Sequence, residues 1–143
     1  MIKPIVRDVL LLQRKAVPAT GKDVSVAMYL RDTLQFYRDS CVGMAANMIG
    51  SNVAMIIVTD AKKDIIMMNP QIIEKSGPYE AEEGCLSLSG KRTALRYRKI
   101  RVTYTDITMK RHTETYEGYT AQIIQHEIDH LNGITLFESA SPR

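Results

Sequence analysis

"YTAQIIQHEIDHLNG", residues 119–133, switches the chain to a helical period, and its reading decides the fold. Ile123, Ile124, Glu127, Ile128 and Leu131 recur at three- and four-residue steps, which predicts a helix from about Tyr119. Gly133 stands where a helix C-cap belongs. Within this helix His126 and His130 lie four apart, one above the other on a single face, so both imidazoles can reach one ion. Glu127 is adjacent, and a carboxylate outside the ligand shell can still reach a water on that ion and act as a general base. The same His-Glu-x-x-His letters also arise by chance on surface helices, so a third ligand has to come from elsewhere in the chain.

Upstream of the helix the pattern is that of strands. In "KIRVTYTDI" (99–107) Ile100, Val102 and Tyr104 alternate onto one face, and "KRHTETYEGY" (110–119) pairs back on it as a hairpin. "NVAMIIVT" (52–59) is a continuous apolar, β-branched run and reads as a buried strand. "DIIMMNPQIIE" (64–74) is broken by Pro70 and leads into a turn-rich "KSGPYEAEEG" (75–84). Earlier still, "DVSVAMYLRDTLQFYRDS" (23–40) places Val24, Ala27, Leu30, Leu34 and Tyr37 on one helix face, with Asp23 as N-cap. The order helix, strands, helix predicts an α+β domain over residues 1–143, with antiparallel β-sheets packed around the C-terminal helix and the N-terminal helix on the outside.

Composition excludes several other classes. A chain of 143 residues, 45% of them hydrophobic, suits one globular core. The formal charge of +3 is dispersed, and "RKAV", "KRTALRYRK" and "MKRH" are too short and too poor in aromatics to form a nucleic-acid groove. No apolar run reaches the length of a membrane span, and the first residues lack a cleavage site, so a cytoplasmic protein is expected. There are two cysteines, Cys41 and Cys85, and no disulfide between them is expected in that compartment. Cys85, in "EEGCLSLSG" (82–90), is the candidate third ligand, because a thiolate and two imidazoles make a three-ligand catalytic set with one open position. As a lone residue it also fits the commoner role of a small buried hydrophobe.

"EGCLS" (83–87), "QHEIDHLNG" (125–133) and "GMAANMIG" (43–50) together resemble the three motifs of the peptide deformylases, in order and at similar separations. "MNP" (68–70) resembles the strand before the second motif, and the likeness runs from about Lys22 to Phe137. It implies a catalytic domain in which Cys85, His126 and His130 hold one divalent ion, Fe2+ in the cell, with Zn2+, Ni2+ or Co2+ as substitutes. Glu127 would take a proton from a water that attacks an N-formyl group, and return it to the leaving amine. The implied substrates are formyl-methionyl nascent peptides met in the cytoplasm, at the ribosome, with no nucleic-acid motif and no membrane. The backbone N–H of Leu86 would serve the oxyanion. Substrate contacts would fall on Val42, Gly43, Gly84, Leu86, Tyr119, Gln122, Ile123 and Arg92, with Arg96 a second basic position. Ile123 reads equally well as core, and either arginine as a solvated strand charge.

The first motif departs from the family pattern. The family places a glutamine, whose amide serves the oxyanion, where this chain has Met48. Methionine has no N–H to donate, and loss of one oxyanion donor costs about 10²–10³ in turnover. Asn47 carries an amide, but in an extended segment its side chain would face away from the side that residue 48 faces. Cys41 replaces a small residue and would narrow the cleft or place an oxidisable thiol near the ion. The chain also stops soon after "TLFES", as in shorter members. The sequence therefore predicts a deformylase, with activity weakened at Met48. The alternative is a deformylase-like protein that binds metal and peptide N-termini with little or no turnover. A zinc peptidase fits less well, since its third ligand is His or Glu.

Overall fold

The computed structural model describes residues 1–84 and 91–134. Its five strands form one antiparallel sheet in chain order: β1 (Gly43–Ala45), β2 (Met55–Asp60), β3 (Lys63–Gly84), β4 (Lys91–Thr105) and β5 (Arg111–Glu117). The α-helices are α1 (Val9–Leu12), α2 (Val24–Phe36) and α3 (Gly118–Leu131). Among the described residues no helix is long and apolar enough to cross a membrane.

The apolar run at 52–59 supplies β2, whose Met55, Ile56, Ile57 and Val58 are fully buried. β4 and β5 form the expected hairpin, with Tyr104 opposite His112 and with Ile100, Val102 and Tyr104 turned into the core. The α3 residues Ile123, Ile124, Glu127, Ile128 and Leu131 are all buried, so the predicted helix face is the packed one. Gly133 has φ +74, and any Cβ there would collide with the Gln13 carbonyl, so glycine is required by space as well as by conformation. α2 covers the sheet from outside: Ala27, Leu30 and Leu34 are buried, while Met28 and Phe36 face solvent.

Three local expectations are corrected. Pro70 does not end a strand, because β3 runs unbroken for 22 residues. The proline falls in a register shift between Met68 and Gln71, where a bulge needs no N–H from it. Asn69 takes a left-handed φ of 51° there, and its amide exchanges hydrogen bonds of 2.8 and 2.9 Å with the Ala19 backbone. The turn-rich 75–84 is strand as well, since β4 pairs with it from Lys75 to Gly84, and Gly77 at φ +73 supplies the bend so long a strand needs. At the start of α2, the Asp23 carboxylate does not cap the helix. It reaches back to accept the Thr20 N–H at 2.8 Å, while the Thr20 hydroxyl accepts the Lys22 N–H, a reciprocal box around the preceding 3₁₀ turn Gly21–Asp23. Tyr37 lies just beyond the helix end and is only half-buried.

Candidate metal centre

The site is built where α3 lies between the two ends of the sheet. On one side β1 approaches so closely that a Cβ on Gly43 would lie 2.6 Å from Ile123 Cγ2 and 3.1 Å from Glu127 Oε2. On the other side the far end of β3 meets the same helix. Tyr79 donates its hydroxyl to Gln122 Oε1 at 3.1 Å, and four residues further along the strand Glu83 Oε1 meets His126 Nδ1 at 2.9 Å. Four residues is an even step on a strand and one turn on a helix, so the two cross-links lie one above the other.

His126, Glu127 and His130 are all buried, and each offers a ligand atom within 4.8 Å of the others. Burial, reinforced by the positive charge of His126 and Arg96, pushes the His130 imidazole down to about 3. It is therefore neutral at physiological pH, the form that binds a metal. The carboxylate on His126 Nδ1 orients the ring so that Nε2 is the nitrogen left to serve as a ligand, the arrangement that ligating histidines use. Burial drives the Glu127 carboxyl up to about 7, against the pull of His126 and with a push from Glu83. Glu127 Oε1 is buried with no hydrogen-bond partner among the described residues. Two imidazoles beside a buried carboxylate, one oxygen of which has no partner among the described residues, suit a divalent cation and a water better than an empty interior.

A second layer holds this arrangement. The Arg96 guanidinium forks onto Glu83, with Nη2 to Oε1 at 2.8 Å and Nε to Oε2 at 2.9 Å, and its Nη1 reaches Asp129 Oδ2 at 2.8 Å. Burial raises the Glu83 carboxyl, but His126 and Arg96 outweigh it and bring it down to about 2. Gln125 docks α3 on β4 by accepting the Tyr97 N–H and donating to the Tyr97 carbonyl, both at 2.8 Å. Arg96 is 3% exposed, which corrects its reading as a peptide contact or solvated charge: its donors are committed to two acids. Sequence reasoning missed the roles of Glu83, Gln125 and Asp129. Their signal was their presence inside the "EGCLS" and "QHEIDH" motifs with no chemistry assigned.

The remaining site residues are placed as follows. Cys85 and Leu86 lie outside the described residues, as does the side chain of Arg92, and Cys85 follows Glu83, the anchor of His126, by two positions. Gly84 ends β3. Val42 is half-buried and its carbonyl accepts the Thr59 N–H. Ile123 is buried against Gly43, Gln122 is half-buried, and Tyr119 is 65% exposed at the start of α3. Residues Ala46–Ile49 are not extended but form a 3₁₀ turn, which corrects the argument about Asn47. Asn47 donates to the carbonyls of His130 at 2.8 Å and Leu12 at 3.4 Å. Met48 is 1% exposed, and its sulfur accepts the Ala45 N–H at 3.4 Å. The Cys41 thiol donates to the Gly43 carbonyl.

A sheet bent around a helix that carries two imidazoles and a proton-carrying acid defines a metal-dependent hydrolase. Residues 2–143 match the polypeptide deformylase family model, and the chain belongs to that family. It is 47% identical over 136 residues to a peptide deformylase of Clostridium beijerinckii, covering 95% of this chain and 100% of that protein. Among solved structures, the peptide deformylase of Thermotoga maritima superposes with a TM-score of 0.89 at 28% identity, covering 99% of both chains. A class I type b peptide deformylase from Acinetobacter baumannii, crystallised with Met-Ala-Ser, does so at 0.88 and 27%, covering 96% of this chain and 99% of that one.

Proposed function

We propose that this enzyme removes the N-formyl group from formyl-methionyl ends of newly made polypeptides in the cytoplasm. One divalent ion would be held by Cys85, His126 and His130, Fe2+ in the cell with Zn2+, Ni2+ or Co2+ as substitutes. The observation that carries this reading is Glu127: buried, brought near neutrality, and with one oxygen unpartnered among the described residues, beside two histidines whose ring nitrogens lie within ligand reach of it. The tripeptide in the Acinetobacter relative is of the product type such a reaction leaves.

The ion, when bound, polarises the formyl carbonyl and acidifies a water. Glu127 takes the proton of that water as its oxygen adds to the formyl carbon, and delivers it to the amine nitrogen as the C–N bond breaks, leaving formate and a free N-terminus. Gly43, by lacking a side chain, lets β1 and the substrate lie against Glu127. The Leu86 N–H serves the oxyanion, and Val42, Gly84, Tyr119, Gln122, Ile123 and Arg92 line the peptide. The test is formate release from a formyl-methionyl peptide by anaerobic, iron-loaded protein. Glu127→Ala should keep its metal and lose turnover, while Cys85→Ala and His130→Ala should lose the metal. Metal retained by the last two, or turnover retained by the first, would overturn the assignment.

Turnover is expected to be weakened at Met48. Its sulfur takes the Ala45 N–H three residues back, as the third residue of a capping box does. A glutamine there can accept the same N–H on Oε1 and keep its amide to donate, so methionine retains the acceptor and loses the donor. Met48→Gln should raise kcat more than it lowers KM, by about 10², toward the low end of what one oxyanion donor contributes. The same observation favours the alternative, a protein that binds metal and peptide N-termini with little turnover. Tight metal and Met-Ala-Ser binding without formate release, unchanged by Met48→Gln, would select it.

A further inference from the structure

His130 is one residue from the end of α3, and helix ends fray because their last carbonyls lack partners within the helix. This end is tied down from outside. The Ala16 N–H bonds the Leu131 carbonyl at 2.7 Å and the Ile134 N–H bonds that of Asp129 at 2.8 Å. The His130 carbonyl receives the Gly133 N–H at 3.1 Å and, more closely, the side-chain amide of Asn47 at 2.8 Å. Asn47 is the only one of these donors supplied by a side chain, and it comes from the turn that also carries Met48.

Stability alone does not account for an asparagine here. The residue is 4% exposed, and its Oδ1 is buried without a partner among the described residues. A buried amide with half its capacity unmet is a poorer choice for stability than an apolar side chain of equal size. Besides a long bond of 3.4 Å to the Leu12 carbonyl, the amide supplies a fixed donor at 2.8 Å against the peptide of one candidate ligand. We propose that Asn47 is a positioning residue for the metal: its amide holds the His130 peptide, and with it the imidazole, in ligating register at the last turn of α3. This rests on the metal reading given above, and adds to it a residue at a place where the family motif admits any side chain.

Zinc-loaded parent and Asn47→Leu proteins, released into a colorimetric chelator, provide the test. Leucine shares asparagine's branched heavy-atom outline and lacks the donor. Release should quicken by about 10-fold, the low end for loss of a group that orients a ligand, while the melting temperature of the metal-free variant stays close to that of the parent. The weak zinc binding left in His130→Ala, read as a dissociation constant by titration at high zinc, should be unchanged by adding Asn47→Leu, because the ligand it acts through is gone. Unchanged release in Asn47→Leu, with a parent that holds zinc, overturns this proposal and leaves the metal site standing. A further loss of that residual affinity on adding Asn47→Leu also overturns it, since Asn47 would then loosen the site as a whole. A parent that holds no zinc overturns both readings. Should Asn47→Leu not fold, the parent still decides: a through-hydrogen-bond 15N–13C coupling between the Asn47 amide and the His130 carbonyl is expected, and its absence sinks the idea.

Discussion

Among the described residues two carboxylate–histidine pairs, Asp106 with His112 and Glu83 with His126, do different work. Asp106 meets His112 at 2.7 Å at the turn end of the β4–β5 hairpin, where both side chains are roughly 30% exposed. The same carboxylate also accepts the Thr108 hydroxyl and the N–H groups of Thr108 and Lys110, and His112 stacks on Tyr104. Thr108, then His112, hold the Asp106 carboxyl well below the usual range. Every donor lies within six residues of the acid, so this pair closes a turn. Glu83 draws its partners from 13 and 43 residues away and has almost no solvent to fall back on. A pair made of distant, buried partners fixes the relation between elements, here β3, β4 and α3. A local, wet pair fixes only its own loop.

The largest break in that contrast should come from Arg96→Met. It leaves Glu83 buried and Asp129 half-buried without their cation, a loss of about 3–5 kcal/mol, readable as a shift in the urea midpoint. A loss below about 1 kcal/mol would place Glu83 with Asp106 as an ordinary surface acid. Glu83→Gln keeps the shape but weakens the hold on His126, and metal affinity in a chelator competition should fall about 10–100-fold. Affinity equal to the parent's would mean that His126 is oriented by something else.

Acid provides a finer comparison. The folded Glu83 carboxyl titrates at about 2, below the roughly 4.3 of an unfolded glutamate. Its contribution to stability is therefore fully present above about pH 4.3 and is lost as pH falls toward 2. The drop in melting temperature between pH 5 and pH 3 should be smaller in Glu83→Gln than in the parent, and an identical drop in both would remove Glu83 from the account. The smallest effect is expected from Asp106→Asn, with metal retention unchanged and melting lowered slightly. Metal loss in that variant would erase the distinction between the two pairs.

The legibility of each region in the sequence follows the same division. Periodicity is local, so α3, its histidines, the hairpin and the β2 run were readable from spacing alone, and His126, Glu127 and His130 come together as that spacing requires. Pro70 misled because the letter shows a missing N–H but not the bulge that makes it harmless. Asp23 misled because its partner, Thr20, lies on the side opposite to the helix it precedes. The turn at Ala46–Ile49 was hidden by small residues with no period. Arg96 looked like one more basic residue in "KRTALRYRK", since nothing in the string shows that β4 delivers it to two acids from separate elements.

The close fit at Gly43 has a bearing on how this chain can vary. One added carbon there meets Ile123 and Glu127 together. Trimming Ile123 relieves the closer contact, but the other involves Glu127, and shortening that residue to aspartate would draw its carboxyl one carbon back from the two imidazoles beside it. Strand and helix are therefore mated parts with a clearance narrower than a methyl group, and the side on which a change can be absorbed is settled: the isoleucine can be machined down, the glutamate cannot.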